Sequence, residues 1–335
     1  MPLNLLGNIW EKTLKGKTNV IGYSKKLRKR IRNGKEVDED VVRVYVSKKM
    51  PPKALNVDAL IPPFIIGVPT DIVEIGEMKA PPQITSPLGV TQRMRPLVAG
   101  ISIGNLSITA GTLGWFFEKS DKTVLGSNAH VFATNSLSDV CGEKKIVQPG
   151  SYDGGKDPDD LVAEYLWHQQ LYGGISNCVP SGLARDVLNG ILKLSRARTR
   201  FSIYVSGENY VDFALATPTV DYDMSLHTTK EVNEFIGLGF AGSDTSSYIC
   251  KASRIIDTGW KPCDVDIATP IIGNEVHKIG RTSEYTSATI IDDCVHGIVS
   301  YGELNNVEFD DLVLTEKLLE GGDSGSSCWL KIERD

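Results

Sequence analysis

The sequence predicts a mainly β protein preceded by a small α+β unit, and three observations carry that reading. From about Pro96 onward, short β-type runs alternate with turns rich in Gly, Asn, Asp and Ser, the texture of an all-β sandwich or barrel. Upstream, Pro81, Pro82 and Pro87 break the chain and set off a basic first segment. The length, 335 residues, suits two or three packed units rather than one.

Residues 1–80 read as the small basic α+β domain. Asn19-Val20-Ile21-Gly22-Tyr23 is a candidate strand, Asn33-Gly34 a turn, and Val41–Val46 a second, β-branched strand. Pro51-Pro52 can open a short helix over Lys53–Leu60, and Asp71–Ile75 reads as a third strand. Residues 81–95 read as a linker. Beyond it, Ile101–Ile103, Gly111–Phe117, Thr123–Leu125, Val211–Ala216, Ser287–Ile291 and Asp311–Thr315 are the clearest strand candidates. One helix interrupts them near 181–195: Ser181 is an N-cap, and Leu183, Val187, Leu188, Ile191 and Leu192 follow at helical spacing as a packing face.

Hydrophobic residues make up 41% and charged residues 23%, which excludes bulk disorder. No apolar run is long enough to span a bilayer, and the first thirty residues lack a signal-peptide core, so a cytoplasmic, intracellular location is expected. The six cysteines form no Cys-x-x-Cys pair and read as reduced thiols, with no metal site. Net charge is −6, yet residues 1–53 hold 14 Lys and Arg against 5 Asp and Glu. The run Lys25–Arg32 is followed at once by the acidic stretch Glu36–Asp40. A solvated face or an internally neutralised hairpin is favoured there over a nucleic-acid arm, because aromatics for base stacking are few.

Three segments can carry chemistry. Gly321-Gly322-Asp323-Ser324-Gly325-Ser326 offers a hydroxyl on a Gly-rich turn, with small neighbours that admit a carbonyl and amides that can face an oxyanion. Taken alone it is equally a plain Gly-rich turn. Ser127-Asn128-Ala129-His130-Val131 places an imidazole directly after a convincing hairpin strand, where it can act as general base or be a satisfied core histidine. An orienting carboxylate has two candidates, Asp212 in Val211–Ala216 and Asp266 in Val265–Ala268. The order His, Asp, Ser is that of the chymotrypsin class. It differs from the Ser-acid-His and Asp-His-Ser orders of other serine hydrolases.

These segments resemble a trypsin-like serine protease, and more narrowly the narrow-leaf-type family. The resemblance runs from about Asn19 to Ser326. It rests on Pro69–Gly76, Ala110–Gly114, Ser127–Ala133, Gln148-Pro149-Gly150, Asp153-Gly154-Gly155, Val211–Ala216, Lys278–Thr282 and Gly322–Ser326. It implies a chymotrypsin-like double antiparallel β-barrel, with the first barrel at 96–220 and the second at 221–335. It also selects Asp212, in a Val-Asp-x-Ala-x-Ala segment, over Asp266. The implied activity is that of a serine endopeptidase acting on protein or peptide substrates. His130, Asp212 and Ser324 would form its triad and the amides of Gly322 and Ser324 its oxyanion hole, with no cofactor and no membrane or nucleic-acid partner. A homo-oligomer is compatible with this reading.

Two departures from the family pattern matter. Glu284 stands where the family's Gly-Arg-Thr-Thr-Gly has its last glycine, which puts the local turn in question. Only eleven residues follow Ser324, enough for about one strand, Trp329–Ile332. The second barrel is therefore expected to be incomplete, with an unpaired edge beside Ser324 and weak turnover unless another chain supplies a strand. On that ground the rival reading is a catalytically impaired, protease-fold binding or scaffold protein. The position of a trypsin-like pocket floor falls near Leu318, so an apolar substrate preference is expected.

Overall fold

The structure is a computed structural model and describes residues 9–17, 19–32, 35–75, 89–137, 141–173, 187–189, 207–227, 235–241, 248–301 and 304–331. Twenty-one strands are assigned among them. In chain order the first are β1 (Val20–Ser24), β2 (Arg28–Arg32), β3 (Lys35–Val46), β4 (Phe64–Ile65), β5 (Val68–Glu74), β6 (Leu97–Ala99) and β7 (Ser102–Asn105). There follow β8 (Gly111–Thr112), β9 (Trp115–Lys119), β10 (Lys122–Ser127), β11 (Lys145–Val147), β12 (Leu161–His168), β13 (Ala214–Pro218) and β14 (Tyr222–Leu226). The last seven are β15 (Phe235–Ala241), β16 (Tyr248–Lys251), β17 (Lys261–Pro262), β18 (Glu275–Gly280), β19 (Glu284–Tyr301), β20 (Leu304–Thr315) and β21 (Ser327–Lys331).

The first barrel closes as an antiparallel ring. β7 pairs with β8, the chain bends at Leu113-Gly114 into β9, and β9 pairs with β10. The ring continues through β13, β12 and β11, and β11 returns to β7. A second antiparallel ring runs β15–β16–β20–β19–β18–β21 and back to β15. These two rings are the chymotrypsin-like double barrel that the resemblance implied.

The expected open edge beside Ser324 is not there. One strand, β21, does follow the Ser324 turn, but it is paired on both sides, with β15 and β18. Ring order differs from chain order: the β18–β19 hairpin, upstream of Ser324, supplies β18 as one neighbour of β21 and closes the ring.

Strand alternation builds the cores, since successive side chains face opposite sides of a sheet. In the first ring Phe116, Leu125, Ala214 and Ala216 point inward. Their neighbours Phe117, Val124 and Leu215 point outward into a shared core with Phe240, Tyr248, Leu312 and Leu314 of the second ring. In the second ring Ile249, Val276, Val313 and Leu330 fill the interior. The two barrels are thus joined through the outer faces of strands whose inner faces close each barrel.

The N-terminal strands extend the second ring. β1 lies between β3 and the far end of β19, with β5 and β4 beyond β3 and β2 folded onto it. Buried Asp292 on β19 anchors this seam by pairing with Arg28 and accepting a hydrogen bond from Tyr45 Oη at 2.5 Å. The basic run is neutralised within its hairpin only in part: Lys29 pairs with Asp38 and Asp40, and Arg30 and Arg32 with Glu39, whereas Lys25, Lys26 and Arg28 pair with Asp310, Asp293 and Asp292 of the second ring. The helix expected over 53–60 is two 3₁₀ turns, Pro52–Ala54 and Val57–Ala59, separated by an extended Leu55-Asn56. The Asn33-Gly34 turn and most of both the 81–95 linker and the 181–195 helix lie outside the described residues. Residues 187–189 are helical, with Val187 and Leu188 exposed rather than packed.

Candidate active site

The ladder between β10 and β13 pairs Ser127 with Ala214. That register brings together the ends of two strands far apart in sequence. After Ser127 the chain turns into a single helical turn, Ala129–Phe132, which carries His130. Just before β13 stands Asp212, wholly buried. Its Oδ1 accepts the Ala129 amide at 2.6 Å, and its Oδ2 lies 2.5 Å from His130 Nδ1. An ionised carboxylate there fixes the ring with its proton on Nδ1, leaving Nε2 to take up another. The His130 side chain is 23% exposed, so its outer edge reaches solvent. Asp266, the other candidate, is exposed, and its carbonyl accepts the Gly237 amide.

Ser324 sits on the turn before β21 and is 3% exposed. Its carbonyl accepts the Thr112 amide of β8 at 2.8 Å. Two glycines make this turn feasible. Gly322 has φ +95, and a Cβ there would stand 2.5 Å from Thr282 Oγ1. Gly325 has φ +87, and a Cβ there would stand 2.1 Å from Ser127 Oγ and 3.2 Å from Asn128 N. Any side chain at Gly325 would push the turn off the segment that leads into the His130 helix. Asn128 strengthens that contact by donating from Nδ2 to the Ala241 carbonyl at 2.7 Å.

Asp323 locks the turn from inside the second barrel. It accepts from Lys278 Nζ at 2.7 Å, from the Thr282, Ser283 and Glu320 amides at 2.9, 3.0 and 2.9 Å, and from Ser283 Oγ. Both Lys278 and Asp323 are fully buried. Burial pushes the Asp323 carboxyl up, but the Lys278 ammonium and these donors outweigh it and hold the group below the usual carboxylate range. Sequence reasoning passed over Lys278. The signal was alternation: on β18 it shares a face with Val276, which points into the barrel.

Three further histidines have polar partners. His168 meets Tyr165, His277 meets Tyr285, and His296 meets Asp310. Leu318 and Leu319 are buried in the core of the second barrel. Cys328, four residues past Ser324, is buried with its thiol pushed up by desolvation, which disfavours a thiolate nucleophile. Among the described residues no three His, Cys, Asp or Glu side chains converge to hold a metal, and no helix is long and apolar enough to cross a membrane.

Solved structures similar to this chain include a glutamic-acid-specific serine protease that uses a histidine triad in substrate binding, at 14% identity and TM-score 0.37, covering 70% of this chain and 80% of that one. Nocardiopsis protease (NAPase) matches at 13% identity and TM-score 0.33, covering 70% of this chain and 78% of its own. Thermobifida fusca protease A (TFPA) matches at 13% identity and TM-score 0.31, covering 69% and 76%. No protein-family model matches the chain, and no curated protein does.

Proposed function

We propose that this chain is a serine endopeptidase of the trypsin-like class, of narrow-leaf type, acting on protein or peptide substrates. The observation that carries the reading is the buried Asp212 carboxylate, which takes both the His130 ring nitrogen and the Ala129 amide, on the segment against which the Ser324 turn packs. Ser324 Oγ attacks the scissile carbonyl carbon and passes its proton to His130 Nε2. The resulting oxyanion accepts from the amides of Gly322 and Ser324. His130 then protonates the amine nitrogen as the C–N bond breaks, leaving an acyl-enzyme. A water, deprotonated by His130, attacks the ester carbonyl, and the imidazolium returns a proton to Ser324 Oγ as the acyl C–O bond breaks, releasing the acid. Through both halves Asp212 holds the tautomer and stabilises the imidazolium.

The scaffold alternative drew on an open second barrel, and the closed ring around β21 removes that ground. A fluorophosphonate probe tests the proposal: it should label the wild-type chain at one site, and Ser324→Ala should abolish labelling. Undiminished labelling of Ser324→Ala would move the nucleophile elsewhere.

A further inference from the structure

Two of the stretches behind the family resemblance have no part in the triad: Asp153-Gly154-Gly155 and the Arg281 segment. They belong to different barrels, and the fold joins them. Arg281 Nε donates to Asp153 Oδ2 at 2.7 Å and Nη2 to Oδ1 at 2.5 Å, a two-pronged pair with side chains 10% and 9% exposed. Asp153 Oδ2 also accepts from Ser102 Oγ on β7 at 2.6 Å, which ties the carboxylate to the first barrel. The guanidinium lies over the Tyr152 ring, 4.9 Å from its centroid. A Cβ on Gly322 would stand 2.7 Å from Arg281 Nη1, so this pair borders the nucleophile turn. The backbone beside it is stitched the same way. The Arg281 amide donates to Thr112 Oγ1 at 2.9 Å, and that hydroxyl donates to the Gly322 carbonyl at 3.1 Å.

We propose that Arg281 and Asp153 form an inter-barrel clamp that sets Ser324, on the second barrel, in reacting position against His130 and Asp212, on the first. Arg281 is on this view a positioning residue. The inference rests on the serine-protease reading above. A bidentate guanidinium–carboxylate pair fixes an angle as well as a distance, which a point charge such as lysine cannot do. The triad is split across the seam, so its geometry depends on that angle. A misplacement of about 1 Å between reacting groups costs on the order of 100-fold in rate.

The test measures inactivation by a fluorophosphonate, separating kinact from KI, together with hydrogen–deuterium exchange, in wild type, Arg281→Met, Asp153→Asn, the double variant and Arg281→Lys. Each single change should lower kinact about 100-fold while KI stays within about threefold. The double variant should lose no more than the worse single, because the two act as one unit. Arg281→Lys should recover part of the loss. Exchange should quicken at Gly321–Gly325 and Gly111–Thr112 in Arg281→Met, and remain as in wild type within β13 and β16. Unchanged kinact in a labelled protein, losses that add, unchanged exchange at the turn, or loosening of both barrels throughout would each overturn the clamp. Failure of the wild type to label would fall on the protease reading instead, and the exchange measurement would still decide whether the pair holds the seam.

Discussion

The two barrels reach the same closed ring by different routes, and they hold their share of the site by different means. In the first, His130 and Asp212 flank a hydrogen-bonded strand pair, so the β10–β13 register itself sets their geometry. In the second, Ser324 precedes a strand inserted between two others, and no other proposed triad member belongs to that barrel. Its turn is held by one buried ion pair beneath it and by contacts across the seam. The half that holds His130 and Asp212 is therefore built by pairing within a sheet, whereas the half that holds Ser324 is built by docking. Ladder geometry is local and redundant. Docked geometry depends on a few side chains.

The largest expected effect falls on the first barrel. Asp212→Asn should leave the fold intact and lower turnover by about four orders of magnitude, through the wrong imidazole tautomer. Asp266→Asn should leave turnover near wild type. Steady-state peptidase assays check both, and the reverse ranking would break the assignment of the acid.

Next in size is the device under the Ser324 turn. Lys278→Met leaves a buried carboxylate without its cation and should destabilise the protein by about 3–5 kcal/mol, read by chemical denaturation. The pH dependence follows from the lowered Asp323 pKa. A depressed carboxyl contributes stability that is fully present above the unfolded value, near 3.9, and is lost as pH falls through the lower folded value. Wild-type stability should therefore decline in the acid range below about pH 4, and Asp323→Asn should flatten that decline. An equally steep decline in Asp323→Asn would place its origin in other carboxylates.

A smaller effect sharpens the comparison at the β18–β19 turn. Glu284 has φ +52, the left-handed conformation a glycine takes readily. Glu284 is thus a non-glycine residue held in a conformation that costs its side chain strain. Glu284→Gly should raise stability by up to about 1 kcal/mol, seen as a higher melting temperature. A lower one would mean that the Glu284 side chain contributes more than its backbone strain costs.

The proposed site draws on local sequence signals, whereas the assembly around it is set by distant ones. His130, Asp212 and Ser324 each sit in short motifs whose residue types follow from the chemistry, and their order narrowed the class. The hairpin Gly111–Leu125 was readable because alternation and turn residues are local signals. Ring order was not readable: which strands flank β21 is decided by pairings between distant segments, and nothing near Ser324 encodes β18. Lys278 was legible in principle, as an inward-facing charge on an apolar strand, yet its partner Asp323 lay in the motif being read for catalysis. The clamp was invisible for a related reason, since Asp153 and Arg281 are 128 residues apart.

The position of β21 within its ring also governs the order in which the molecule can be made. The first ring uses nothing beyond β13, so it can close while the rest of the chain is still being synthesised. The second ring cannot, because β15 and β18 each lack a neighbour until β21 has left the ribosome. The N-terminal sheet waits as well, since β1 pairs with β19. Until then the nascent chain carries exposed strand edges, which invite pairing with other chains. The barrel that carries Ser324 is thus the later of the two to take shape, and in our reading the triad is assembled only when that strand arrives.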